Sequence, residues 1–339
     1  MVSLVEDQRL SLYNKLMDAV GLAKVDSEQL EDIFQQEIQC WREELFWDYQ
    51  PAVSLIRKYV SSRSLPGWAI RTDHGTVSGY SYYVLNHPVA YIGNIYVRSE
   101  CATTETYSHL LDKILHSLDS SARIQRVESQ LFAFNCNLAP LFESRGFVTM
   151  ERHFLSLCLD QFKNEQWKAD ELKDFTIFRW KKKFFSSAAE VIYNSYQNSP
   201  DRLLCYDYQS LEGCSRFLHN LIHHPSCGTF RPEASWVAMD SEGDLCAVLL
   251  TSRIAAKTGM IPQISVRSDC QGMGIGSGLL KRYFREARQS GLNQITLSVS
   301  VANQGAHLLY RRLGFQKQKD LYAFVRDTNQ EGNSPRTPN

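Results

Sequence analysis

Three glycines at alternate positions, Gly272, Gly274 and Gly276, constrain this chain more than any other stretch. Before them, Met260 to Val266 reads as a β-strand. After them, Ser277 to about Ser290 has the periodicity of an amphipathic helix. Glycine has no Cβ, so the backbone can bend tightly there. Several amides can then point outward together, and the helix start adds the positive end of its dipole. A pyrophosphate suits such a turn. Two other phosphate loops fit less well. The pattern G-x-G-x-x-G fails, because Ser277 stands last when counted from Gly272, and Leu279 when counted from Gly274. The Gly-Lys-Ser/Thr ending of nucleotide-triphosphate loops is absent.

A second strand, Gln294 to Val301, follows the helix. Then come Asn303-Gln-Gly-Ala-His-Leu-Leu-Tyr310 and Leu313-Gly-Phe315. The order Gln271-x-x-Gly274-x-Gly276, helix, strand, Asn303-x-x-Ala306-x-x-Leu309-Tyr310, Gly314-Phe315 resembles the GCN5-related N-acetyltransferases, the GNAT superfamily. The resemblance implies an α/β (α+β) fold, a mixed, mostly antiparallel twisted sheet with helices on both faces. It implies acetyl-CoA as acyl donor, no metal, and direct transfer to an amine in a ternary complex.

It also implies residue roles. The amides around Gln271, Gly272, Met273, Gly274, Ile275, Gly276 and Ser277 would hold the pyrophosphate. The strand at 260–266 would splay from the strand at 294–301. The pantetheine arm would run along Ile264, Ser265 and Val266, pairing with Ile264 and Val266 like an added strand. An N–H near Val266 would donate to the thioester oxygen. Pro262 lacks a donor, which suits a distorted strand. Asn303 would bind the pantetheine or pyrophosphate region, and Tyr310 would protonate the leaving sulfur.

At 339 residues the chain is long enough for two domains. The order of elements repeats. Gly146-Phe147 matches Gly314-Phe315 at an offset of 314 − 146 = 168. The same offset takes Asn303 to Asn135, Leu309 to Leu141 and Tyr310 to Phe142, while Val266 falls one residue off register at Val97. Two tandem GNAT folds are therefore expected: residues 1–160, carrying extra helices at their start; a linker at 161–172; a catalytic domain at 173–327; and a disordered polar tail at 328–339. The first copy reads as degenerate. Its loop region, Cys101-Ala-Thr-Thr-Glu-Thr-Tyr107, has no glycine, Glu105 brings a carboxylate, and Phe142 lacks the hydroxyl of Tyr310. It is expected to bind no acyl-CoA productively.

Elsewhere the patterns are plainer. Residues 3–64 read as helical, with Leu10, Tyr13, Leu16 and Val20 on one face. Strands are expected at 68–71, 78–84, 90–97 and 127–134, with a helix at 106–118 and a short helix at 137–144. In the second half, strands are expected at 175–180, 235–239, 245–254 and 321–326, and helices at 184–198 and 211–222. The resemblance implies that the segment 201–232 walls the acceptor pocket.

Lys+Arg and Asp+Glu both number 37, which makes no electrostatic case for nucleic acid or an anionic membrane surface. Nine scattered cysteines without a Cys-x-x-Cys pair read as reduced thiols in the cytosol, and zinc spacing is missing. The start shows no signal-peptide pattern, and no run reaches the roughly 18 apolar residues of a spanning helix. Oligomeric state is not readable.

The general base is not readable either. An amine of pKa near 10 must lose a proton at neutral pH. Relatives acting on protein N-termini often carry Glu five residues before the Asn; here Ser298 stands there. His223, His224, Asp244 or ordered water are the candidates. A small-molecule amine is the expected acceptor. A protein lysine or N-terminus, and a non-catalytic acyl-CoA-binding module, are the alternatives.

Overall fold

The structure, a computed structural model, describes residues 18–328 apart from 73, 133, 162–171, 173 and 225. The helical face at Leu10, Tyr13 and Leu16, most of the expected linker and the tail beyond residue 328 lie outside the described residues. The chain forms two compact units. One comprises residues 18–40, 50–149 and 322–328, the other residues 41–49 and 150–321.

The first stretch of chain supplies β1 (Asp18–Gly21), α1 (Glu31–Leu45), α2 (Gln50–Ser61), β2 (Gly67–Arg71), β3 (Val77–Asn86) and β4 (Val89–Val97). Then come α3 (Thr104–Asp119), β5 (Arg126–Phe132), α4 (Ala139–Glu143) and β6 (Val148–Cys158). The rest supplies β7 (Thr176–Arg179), α5 (Phe185–Tyr196), α6 (Leu211–His223), β8 (Thr229–Phe230), β9 (Trp236–Met239), β10 (Leu245–Ala255) and β11 (Thr258–Val266). It ends with α7 (Ile275–Gln289), β12 (Gln294–Ser300), α8 (Gln304–Arg312) and β13 (Gln316–Asp327).

In the first unit the strands run in the order β1-β2-β3-β4-β5, with the end of β13 beside β5. Thr103 starts α3: its Oγ1 accepts the Thr106 N–H at 3.2 Å. The helix buries Leu110, Leu111, Ile114 and Leu118, spaced three and four apart, against Ile92, Ile95 and Val97 of β4. Each such side chain contributes roughly 1.5–3 kcal/mol by leaving water.

In the second unit the order is β13-β6-β12-β11-β10-β9-β7, with β8 on β10. Along β10, Ala247 and Leu249 enter the core under α7. Val248 and Leu250 enter the core under α5 and α6. The two-residue strand period thus puts helices on both faces.

The repeat seen in sequence reappears in hydrogen bonds. Phe147 N–H donates to Phe142 O at 3.2 Å, and Phe315 N–H to Tyr310 O at 3.0 Å. Both follow a glycine at positive φ, Gly146 at 78° and Gly314 at 94°. The parallel pairing Val89↔Arg126 to Ile92↔Ser129 has its counterpart in Thr258↔Gln294 to Ile261↔Leu297.

Two expectations need correction. Residues 3–64 are not helical throughout: Asp18 to Gly21, Val20 included, pair antiparallel with β2, from Asp18↔Arg71 to Gly21↔Trp68. Four residues gain a ladder there that a helix end would not offer. The boundary at 160 also moves. Arg152 to Cys158 pair with β12, so residues 150–158 belong to the second unit. Conversely, residues 322–328 belong to the first, where Phe324 stacks on Phe142 at 3.8 Å and Arg326 pairs with Asp119. The repeat marks the copies, but the open sheet edges choose their last strands.

Candidate active site

The site begins where two strands part. β11 and β12 pair in parallel only as far as Ile261↔Leu297. Pro262, the next residue, has no N–H to continue the ladder. On its other side β11 stays paired with β10 as far as Ala247↔Val266. Arg267 N–H donates to Cys246 O at 2.8 Å. Antiparallel alternation then turns the N–H groups of Ile264 and Val266 away from β10, toward the opening. The Val266 carbonyl is already taken, by Gln271 Nε2 at 3.1 Å.

That bond ties the glycine loop to the strand. Gly272 and Gly274 both stand at φ 80°, a conformation that disfavours any side chain. A Cβ at either would meet nothing within 4 Å, so their role is backbone shape rather than clearance. Gly274 caps α7, which starts at Ile275, two residues earlier than expected. The first-turn amides of α7 have no partners within the helix and face the loop. Arg267 holds the loop base, bonding Asp240 at 2.9 Å and Asp269 at 2.7 Å.

A cavity of about 1090 Å³ occupies the opening. It is lined by Ile264, Ser265, Val266, Gln271, Gly272, Gly274, Ile275, Gly276, Ser277, Asn303 and Tyr310. Met273, expected with them, does not line it; the side chain is 57% exposed, at the loop tip between the two positive-φ glycines. Asn303 caps α8, its Oδ1 accepting the Ala306 N–H at 3.1 Å. Tyr310 is 6% exposed and stands edge-on to Phe315. Burial pushes its phenol well above the ordinary tyrosine value, so it keeps its proton at neutral pH.

The other end of the cavity lies under α5. Tyr196 and Tyr208 stack with centroids 3.9 Å apart. Gln263 Nε2 donates to the Tyr196 hydroxyl at 3.3 Å and to Ser265 Oγ at 2.8 Å. Ser265 and Ser195 hydroxyls lie 2.9 Å apart. Arg152 and Asp201 line this end too. From the expected acceptor segment, then, Asp201 and Tyr208 reach the cavity. His223, His224 and Asp244 do not: all three are exposed and none lines it. The reason is local. The histidines end α6, and Asp244 sits in the β9–β10 turn.

Lys281 and Arg312 also line the cavity and were not singled out from sequence. Lys281 lies two turns into α7, where helical spacing could have placed it on the loop side. Arg152 had no such signal, because it comes from β6, which sequence periodicity did not reveal. Outside the cavity, Glu151, His153 and Asp320 bring possible metal donors within 4.8 Å of one another, but Lys317 Nζ already lies 2.6 Å from Asp320.

The first unit treats the matching strand end differently. The Tyr107 hydroxyl hydrogen-bonds to the Val97 backbone and the Asn135 side chain. Asn135 Nδ2 also donates to the Val97 carbonyl at 3.2 Å. Its own side chains therefore occupy the backbone of Val97, whose counterpart in the second unit, Val266, turns its N–H to the cavity.

Residues 196–315 match the Acetyltransferase (GNAT) family. The N-alpha-acetyltransferase MAK3 of Arabidopsis thaliana is 39% identical over 66 residues, covering 20% of this chain and 35% of that protein. The N-alpha-acetyltransferase 30 of Schizosaccharomyces pombe is 30% identical over 96 residues, covering 27% of this chain and 64% of that protein. The chain thus spans about a third to two thirds of the length of these curated relatives. A tandem GNAT protein from the clavulanic acid biosynthesis pathway superposes with a TM-score of 0.61 at 12% identity, over 94% of this chain and all of that one, a likeness of fold. The glycine loop and the parted strands both fall within residues 196–315, the segment that matches the GNAT family.

Proposed function

We propose that the second unit transfers an acetyl group from acetyl-CoA to a primary amine of a small molecule, directly, with donor and acceptor bound together. The observation that carries this reading is one cavity holding three things. They are a strand edge with N–H groups turned inward, a glycine loop opening a helix, and a buried protonated tyrosine. The groups present fit the donor. The first-turn amides of α7 suit a pyrophosphate. Ile264 and Val266 offer a strand edge to the pantetheine amides, and the Val266 N–H suits the thioester oxygen. Asn303 lines the same cavity. Tyr310 can pass its proton to the departing sulfur.

A protein N-terminus is the second reading, favoured by the N-alpha-acetyltransferase relatives. Ser298, which lines the cavity where an acid is expected for that acceptor, supports the small amine instead. Neither reading calls for a membrane, and no described helix is long and apolar enough to cross one. The test is thiol release from acetyl-CoA with small amines and short peptides as acceptors. Turnover with small amines and none with peptides is expected; turnover confined to peptides would transfer the assignment to the second reading.

A further inference from the structure

The cavity wall is uneven in charge. Among the described residues that line it, Asp201 is the sole carboxylate and none is a histidine. Asp201 sits in a short 3-10 turn, Pro200–Leu203, with its N–H held by Ser199 Oγ at 3.2 Å. That turn fixes the backbone and leaves the carboxylate to the cavity. Arg152, arriving on β6, lines the same cavity and, like Asp201, acts on Tyr196. Both charges act on one group. Burial raises the Tyr196 phenol; Asp201 adds to the rise and Arg152 opposes it. Burial likewise raises Tyr310, and Asp201 adds to that rise, so the carboxylate lies near the proposed proton donor.

A ligand complementary to one anion and one cation carries both opposite charges. We infer that the acceptor is a small zwitterion of the amino-acid class, with its ammonium on Asp201 and its carboxylate on Arg152. This rests on the acetyltransferase reading above and narrows it. Asp201 then touches the substrate and takes the first proton from the ammonium. The nitrogen–carbon bond forms as the carbon–sulfur bond breaks. The sulfur leaves with the Tyr310 proton. The second proton lost by nitrogen returns to Tyr310, and the one on Asp201 passes to water. The Tyr196–Tyr208 stack walls the side chain of the acceptor. A peptide acceptor has its carboxylate replaced by an amide, so the inference separates a free amino acid from a protein N-terminus.

The experiment uses the full chain. Calorimetry first measures acetyl-CoA binding. Calorimetry on CoA-saturated protein and thiol release then compare the common amino acids with their amides and their decarboxylated amines. At least one amino acid is expected to bind and turn over, ahead of its amide and its amine by about 10- to 100-fold, as for a lost charged hydrogen bond. Asp201→Asn should lower kcat/KM for that amino acid by a similar factor, with CoA binding unchanged. Arg152→Gln should remove the preference for the amino acid over its decarboxylated amine. CoA binding with equal use of amines and amino acids, or with no amino acid used, overturns the inference alone. A lack of acetyl-CoA binding overturns the acetyltransferase reading beneath it. Unchanged melting temperatures and CoA binding show that the variants are folded.

Discussion

Ile261 and Leu297 are the last residues at which β11 and β12 pair. Beyond them the two strands bound the cavity from opposite sides, with Ile264 and Val266 on one wall and Leu297 and Val299 on the other. Four further expectations follow from the groups that line this gap or hold it.

Tyr310 is buried and keeps its proton, so its hydroxyl rather than its ring is expected to matter for transfer. Tyr310→Phe retains the edge-on packing against Phe315. Turnover should fall by about 10²- to 10⁴-fold, with CoA affinity by calorimetry nearly unchanged. Equal turnover in the two proteins removes Tyr310 from the chemistry.

Gly274 caps α7 at φ 80° with open space around it. Gly274→Ala meets no clash, so its cost is the left-handed backbone alone, about 1–2 kcal/mol. The loop should relax away from its shape. The KM for acetyl-CoA is expected to rise by roughly tenfold, with kcat changed much less. A change confined to kcat would contradict the loop's assignment to binding.

Tyr107 and Asn135 occupy the Val97 backbone in the first unit. One acetyl-CoA per chain is therefore expected, not two. Calorimetric stoichiometry decides this. Binding that survives Gly274→Pro at full stoichiometry would point to the first unit.

Arg267 anchors the loop base between Asp240 and Asp269. The Asp244 N–H, and then Arg267, hold the Asp240 carboxyl below its usual range. Arg267 does the same for Asp269. A carboxyl lowered in the folded state adds stability above its unfolded value, near pH 4, and loses it as pH falls through the folded value. Asp240→Asn should melt below the parent at pH 7, and the gap should narrow as pH falls below about 4. A gap that persists in acid would mean that the aspartate acts by packing rather than charge.

Much of the second unit was legible in sequence. Gly272 and Gly274 announce a turn because only glycine tolerates their positive φ values cheaply. Pro262 announces the end of a ladder because it has no N–H to give. The offset of 168 pairs Phe147 with Phe315, and in the structure both donate to the residue five positions earlier, Phe142 and Tyr310. Such features are local, and local chemistry is written in consecutive residues.

The remainder depended on groups far apart in the chain. That residues 150–158 join the second unit and residues 322–328 the first was decided by which sheet edges stood open. A strand carries no mark of its partner until the edge it completes exists. Asp201 and Arg152 reach one cavity for the same reason: a 3-10 turn and a returning strand converge there only once the sheet is built. Sequence by itself determined the glycine loop and the repeat; tertiary structure alone decided which charges face the cavity, because a cavity wall is assembled from segments that have no contact until the chain is folded.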